Sequence, residues 1–259
     1  MIVATWNVNS LRARWPRVRE WLTQRSPDVV LLQETKMTDA AFPFDGLREI
    51  GYEAAHYGQG QWNGVAIASR VGLDDVARGW GDGDPEARLI AATCAGVRVV
   101  SCYVPNGRAL DDPHYQYKLR WLAGLRDYLT RRDPRRHVIV GGDFNVAPAD
   151  IDCYDPAALA GSTHVSEPER AALRAVEATG VVDLARRLHP DEPSFTWWDY
   201  RNGAFHRGWG LRIDLLLVDG ALAELARSVD VDRDARKGEK PSDHAPLVAQ
   251  FALDRAELS

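Results

Sequence analysis

Val138-Ile139-Val140-Gly141-Gly142-Asp143-Phe144-Asn145 is the stretch from which the rest of the chain can be read. Its opening run is apolar, uncharged and β-branched, which predicts a strand buried on both faces. Two glycines let the backbone come close to a neighbour, and two small polar side chains, Asp143 and Asn145, follow. On an extended continuation, residues two apart point the same way. Taken alone, the pattern is more simply a strand that ends in an ordinary polar turn, because Gly, Asp and Asn are common turn formers. Its recurrence along the chain separates the two readings.

Upstream, Ile2–Trp6 predicts a strand that delivers Asn7, and Val29–Leu32 a second buried strand that delivers Glu34. Between them Trp15, Val18 and Leu22 have helical spacing, which predicts a helix from about Pro16 to Gln24, before the Ser26-Pro27 breaker. A short helix is expected over 44–50, strands near 52–57 and 64–69, and a loop over 80–85. Residues 89–93 and 97–104 predict a hairpin around Ala95-Gly96 whose second arm delivers Tyr103 and Asn106. Helical spacing returns over 114–131. After the 138–141 strand an irregular stretch, 150–166, leads to a helix over 167–179 stopped by Gly180. Residues 194–198 are aromatic and extended, Arg212–Val218 is a strand interrupted by Asp214, and Ser242-Asp243-His244 precedes the last strand, 246–251. The charged tail beyond Phe251 is expected to fray. There is no linker-like shift in composition and no readable repeat, so residues 1–259 are expected to form one α/β or α+β domain of stacked layers.

Composition excludes several classes. Hydrophobic residues at 45% and charged residues at 27% suit a soluble globular protein. No apolar run approaches the ~20 residues of a membrane span. Met1 passes directly into an apolar strand without a basic region or cleavage site, which argues against a secretory signal. Cys94, Cys102 and Cys153 are odd in number and lack metal-ligand spacing, so a reducing, cytoplasmic setting is expected. The net charge of −5 is not the footprint of a nucleic-acid binder, although a local basic face around Arg12, Arg14, Arg17, Arg19 and Lys36, or Arg201, Arg207 and Arg212, is compatible with it.

A carboxylate in or beside a buried strand is costly unless it is paired or on a metal. Four are placed so, Glu34, Asp143, Asp214 and Asp243, in the company of Asn7, Asn145, Tyr103 and His244. Several have a bland alternative: Glu34 as a helix N-terminal acid, Asp243 as an N-cap, Tyr103 as a core aromatic and His244 as a structural histidine, whereas a strand interior offers Asp214 no capping role. The other six histidines read as structural. If the strands lie side by side, however, the eight residues meet at one rim, where ligands commonly gather. Oxygen-rich ligands without Cys suit Mg²⁺ or Mn²⁺ rather than Zn²⁺. One His beside an Asp, with Asp214 available to orient it, suits acid-base chemistry, and Asn and Tyr suit phosphate oxygens. Metal-assisted phosphodiester hydrolysis is the class these parts fit.

The segments Thr5–Arg14, Leu32–Lys36, Tyr103–Gly107, Gly141–Asn145, Phe195–Tyr200, Leu211–Asp214 and Lys240–Pro246 together resemble the exonuclease III family of DNA repair nucleases, within the endonuclease/exonuclease/phosphatase superfamily. They span nearly the whole chain in family order. The resemblance implies a four-layered αββα sandwich, two packed mixed β-sheets flanked by helices. It implies that Glu34 ligates Mg²⁺ (or Mn²⁺), with Asn7 and Asp243 in the metal's near shell. Asp143 and Asn145 would orient and activate water, His244, held by Asp214, would contact the scissile phosphate, and Tyr103 would bind phosphoryl oxygens. Whether Asp143 or His244 takes the proton stays open. Arg12, Lys36 and Asn106 would follow the DNA backbone, while Trp197, Leu211 and Ile213 would wall a pocket for a flipped-out baseless sugar. The implied partner is double-stranded DNA with abasic sites or blocked 3′ ends, bound by a monomer without membrane attachment. Two departures stand out: Ser10 occupies a position where glycine is common, and His206-Arg207-Gly208-Trp209-Gly210 is an unusual lead-in to Leu211, where Trp209 could act as a wedge. Rival readings keep the chemistry on a phosphoinositide, sphingolipid or RNA, or make the chain a non-catalytic regulator. The intact acidic set argues against the regulator.

Overall fold

The computed structural model describes residues 1–81 and 84–253; residues 82–83, inside the expected 80–85 loop, and 254–259, most of the expected frayed tail, lie outside the described residues. In chain order the strands are β1 (Ile2–Asn7), β2 (Val29–Gln33), β3 (Glu53–Tyr57), β4 (Val65–Ser69), β5 (Asp74–Arg78), β6 (Leu89–Cys94), β7 (Val97–Tyr103), β8 (Val138–Asp143), β9 (Val181–Asp183), β10 (Trp197–Trp198), β11 (Gly210–Leu211), β12 (Asp214–Asp219), β13 (Ala226–Val231) and β14 (Leu247–Phe251). One sheet runs β13-β14-β1-β2-β4-β3, the other β5-β6-β7-β8-β12-β9, and β10-β11 form a separate ribbon. Both large sheets are mixed: β1 with β2 and β7 with β8 are parallel, and the remaining pairs are antiparallel.

Alternation of side chains along each strand explains the layers. One face of each sheet meets the other in a shared core that includes Val3, Val29, Leu31, Ile67, Ile90, Val99, Ile139, Leu216 and Val218. The outer face of the first sheet (Ala4, Trp6, Val30, Leu32) is covered by α1 (Leu11–Arg25) and α2 (Phe44–Arg48), through Val18, Trp21, Leu22 and Leu47. The outer face of the second is covered by α3 (Pro113–Thr130) and α5 (Glu167–Glu177), with the single turn α4 (Pro156–Leu159) between them in sequence. Helix, sheet, sheet and helix layers give the expected αββα sandwich. No helix among the described residues is long and apolar enough to cross a membrane.

The central run does not stop at its glycines. β8 continues to Asp143 because Gly141 and Gly142 are wedged between neighbours: a Cβ on Gly142 would lie 1.8 Å from the Cys102 carbonyl oxygen, and one on Gly141 2.6 Å from Leu31 Cδ1. Helix α1 starts at Leu11 rather than near Pro16, since Ser10 caps it through the Ala13 N–H (3.4 Å) and Pro16 is absorbed inside. Asp214 begins β12 instead of interrupting it. Strands β5, β9 and β13 escaped the pattern; all three lie at sheet edges, where strands are short or polar.

Candidate active site

Parallel pairing brings strand ends together. β1 and β2 end side by side at Asn7 and Gln33, and β7 and β8 end with Tyr103 opposite Asp143. Antiparallel β12 starts at the same rim, with Asp214 paired to Asp143, and Ser242–His244 lead into β14, which pairs with β1. Residues from distant parts of the chain therefore share one edge of the sandwich. The backbone there is strained: Asn9, Ser10, Glu34, Lys36 and Asn145 all have positive φ, a conformation that costs non-glycine residues on the order of 1–3 kcal/mol and clusters at functional sites. At Ser10 (φ 84°) the reason a glycine suits this position is visible directly.

Asn7 Nδ2 bridges two carboxylates, donating to Glu34 Oε1 (2.8 Å) and Asp143 Oδ2 (2.9 Å), while its Oδ1 accepts the Asn9 N–H. Asp143 Oδ1 accepts the Asn145 N–H at 2.9 Å, so these two side chains meet through a tight turn and not along an extended strand. Asn145 Nδ2 donates to the Val104 carbonyl, and its Oδ1 accepts from the exposed Asn106 (3.1 Å). His244 Nδ1 lies 2.8 Å from Asp214 Oδ2, and its Nε2 lies 3.8 Å from Asp143 Oδ2. The Asp214 backbone is fixed in turn by the Thr196 hydroxyl, which accepts its N–H.

Three carboxylates share this buried space with one imidazole. Burial pushes the Asp143 carboxyl up to about 7, with Asp214 and Glu34 adding to the rise against the pull of His244. Burial opposes charge on His244, yet Asp214 and Asp143 outweigh it and push the imidazole up to about 10. The Tyr103 phenol is raised well above its ordinary value by burial and by Glu34 and Asp143, so it stays a donor. Glu34, Asp143 and His244 each place a ligand atom within 4.8 Å of the others. A hard cation fits the carboxylates of Glu34 and Asp143 in this group, and it would relieve the crowding of negative charge; His244, held protonated, is not one of its ligands.

Asp243 is turned aside from that group: it accepts from Asn9 Nδ2 and from Trp197 Nε1, both at 3.0 Å. Lys36 sits within the rim, 2.8 Å from Glu34 Oε2 and 2.5 Å from Asn9 Oδ1. Arg12 is exposed on the first turn of α1. Leu211 and Ile213, each 2% exposed, pack with Ala147, Cys153 and the part-exposed Trp197. Trp209 stands outside that cluster, 37% exposed, stacked on Tyr154 at 5.8 Å with the Arg207 guanidinium 4.6 Å from its ring.

Sequence reasoning missed two groups around the site, His164 and Lys118, and it set a third, Arg212, on a basic face where the structure instead buries it against two aspartates. His164, left among the structural histidines, has Nδ1 2.6 Å from the Asn145 carbonyl oxygen and Nε2 3.5 Å from Asn106 Nδ2. Burial, aided by the Lys118 charge, lowers it to about 4, so it is neutral and donates through Nδ1. Nothing local in the sequence marks it. Lys118, fully buried, donates to the same carbonyl at 2.6 Å and pairs with buried Glu169. Arg212, fully buried between Leu211 and Ile213, clamps Asp152 and Asp183 from behind the wall. A lysine three residues before Trp121 on the apolar stripe of α3, and an arginine between two buried apolar residues, are signals that could have found the last two.

Residues 4–244 match the Endonuclease/Exonuclease/phosphatase family. The chain is 32% identical over 262 residues to exodeoxyribonuclease III of Haemophilus influenzae, covering 95% of this chain and 98% of that one. Among solved structures it is similar to a 3′ phosphatase from Neisseria bound to a product DNA hairpin, with a TM-score of 0.96, 42% identity and coverage of 98% of this chain and 100% of that chain. It is also similar to an AP endonuclease from Archaeoglobus fulgidus, with a TM-score of 0.95, 41% identity and the same coverage. With the rim geometry and these full-length likenesses together, the chain belongs to the Endonuclease/Exonuclease/phosphatase family, alongside exodeoxyribonuclease III.

Proposed function

We infer that this chain is a DNA repair nuclease of base excision repair. It hydrolyses the phosphodiester 5′ to abasic sites in duplex DNA, and it processes 3′ ends as an exonuclease and as a 3′-phosphatase or phosphodiesterase. The observation that carries this reading is the convergence of Glu34, Asp143 and the His244–Asp214 pair at one rim, next to the wall built from Trp197, Leu211 and Ile213. The names of the full-length relatives support the substrate: an exodeoxyribonuclease, a 3′ phosphatase on DNA and an AP endonuclease.

The geometry supports the following roles. Asp143, oriented by Asn7 and by the Asn145 N–H, is the better base for the attacking water, because His244 is held protonated between Asp214 and Asp143. His244 Nε2–H and the Tyr103 hydroxyl are donors to phosphoryl oxygens. Mg²⁺, or Mn²⁺ in its place, held by Glu34 with Asn7 and Asp143 close by, would supply a Lewis acid at the phosphate, while Asp243 would act on it only through Asn9 and Trp197. Arg12 and Asn106 offer exposed groups to the duplex backbone, with Lys36 deeper in the rim and Trp209 an exposed ring beyond the wall. We propose further that the chain works as a monomer in a reducing compartment, with Cys94, Cys102 and Cys153 as free buried thiols.

The test uses a labelled duplex with one central abasic-site analogue, in Mg²⁺ and in EDTA. Cleavage 5′ to the lesion is expected only with Mg²⁺. Asp143→Asn and His244→Ala should each slow it on the order of 10²–10⁴-fold, while circular dichroism and DNA binding are retained. An Asp143→Asn protein that cleaves at the wild-type rate would remove this mechanism.

A further inference from the structure

The end of the second sheet farthest from the catalytic rim carries an arginine-lined cleft. Residues 120–136 hold six arginines against two aspartates, in a chain whose net charge is −5. Arg98 near the start of β7, Arg131 and Arg132 just past α3, and Arg136 before β8 line a cleft of about 470 Å³ together with Trp80 and Tyr128. The carboxylate in that lining, Asp133, is already held by Arg135 at 3.0 Å. Arg98 donates to the Asp75 carbonyl and Arg132 to the carbonyls of Leu129 and Thr179, so their positive charges are positioned without being neutralised. Arg131 and Arg136 are exposed and form no ion pair among the described residues. Trp80 is seated on α3, where a Cβ on Gly124 would come within 3.0 Å of its ring, and it contacts Trp121 at a 4.7 Å centroid distance. Strand β8 runs from Val138 in the cleft to Asp143 at the rim, roughly 17 Å at ~3.3 Å per residue. Groups in the cleft are therefore out of reach of the scissile phosphate.

We propose that this cleft binds a second, single-stranded segment of nucleic acid, with its phosphates on Arg98, Arg131 and Arg136 and a base against Trp80 and Tyr128. Several guanidiniums spread around one cleft match successive phosphates better than a single small anion. Aromatic rings beside them add sequence-independent stacking, which an acidic peptide cannot use as fully. The proposal goes beyond the nuclease reading and does not depend on which bond the rim cleaves.

The experiment is fluorescence anisotropy of a labelled oligothymidylate of about twelve nucleotides, within the site size of single-strand binders. It is run with the full chain in EDTA across a salt series, and it compares wild type with R131A/R136A and R131K/R136K. The Ala pair should weaken binding about tenfold and reduce the salt slope by about 1.4, two contacts at ~0.7 each; the Lys pair should keep most of the slope. Cleavage of a short abasic duplex and thermal unfolding should not change, which shows that fold and rim are intact. Unchanged affinity and slope in the Ala pair would overturn the proposal. So would a parallel loss of short-duplex cleavage, or displacement of the oligonucleotide by polyglutamate at equal charge.

Discussion

Arg212→Met would remove the cation that two buried carboxylates share. Arg212 is 0% exposed; its Nε lies 2.6 Å from Asp152 Oδ1 and its Nη1 3.0 Å from Asp183 Oδ1. Burial opposes the guanidinium charge, but the two aspartates outweigh it and hold the pKa above its ordinary value. Breaking a buried pair costs about 3–5 kcal/mol, because a charge is left without a partner. Asp152 would keep Arg186 at 2.6 Å and Asp183 would keep the Ala185 N–H at 3.1 Å, which places the expected loss at the lower end, about 3 kcal/mol. For a chain of this size each kcal/mol moves Tm by about 2–4 °C, so a fall of roughly 6–12 °C is expected. Urea unfolding followed by tryptophan fluorescence measures it. Arg212 stands between Leu211 and Ile213, so the variant should also raise KM for an abasic duplex more than it lowers kcat. Adding Asp152→Asn should recover part of the loss, since it removes one orphaned charge. A single-variant loss below about 1 kcal/mol, or full additivity in the double variant, would refute the reasoning.

Lys118→Met should cost about 3 kcal/mol or more by stranding Glu169, and should lower kcat because the Asn145 carbonyl loses a donor at 2.6 Å; a wild-type Tm would show that the pair carries no such burden. His56, fully buried between Thr35 and the stacked ring of Phe42, is lowered by burial to about 4 despite the nearby Asp39. The unfolded chain takes up this proton near pH 6.5 and the folded chain only near pH 4. Stability should therefore fall by about 3 kcal/mol as pH drops through that window. In His56→Gln the pH slope between 6.5 and 4 should flatten, and an unaltered slope would assign the acid sensitivity to other groups.

Much of the fold was legible locally. The runs Ile2–Trp6, Val29–Leu32 and Val138–Val140 are apolar on both faces, and buried strands need that wherever they occur in the chain. The edge strands β5 and β13 were not legible, because an edge carries charged residues that periodicity assigns to a loop. The start of α1 was misplaced because proline is read as a first-turn residue, whereas the Ser10 cap lies six residues earlier.

The sequence by itself determined which side chains stand at strand ends, since a carboxylate next to an apolar run has few inexpensive explanations. The tertiary structure alone decided which atoms face one another. Asn7 bridges Glu34 and Asp143, His244 lies between Asp214 and Asp143, and Asp243 turns to Asn9 and Trp197. His164 joins Asn145 from nineteen residues away, and Arg212 finds Asp152 across sixty. These distances are set by strand register and by the packing of one sheet on the other, which hydrophobic periodicity does not encode.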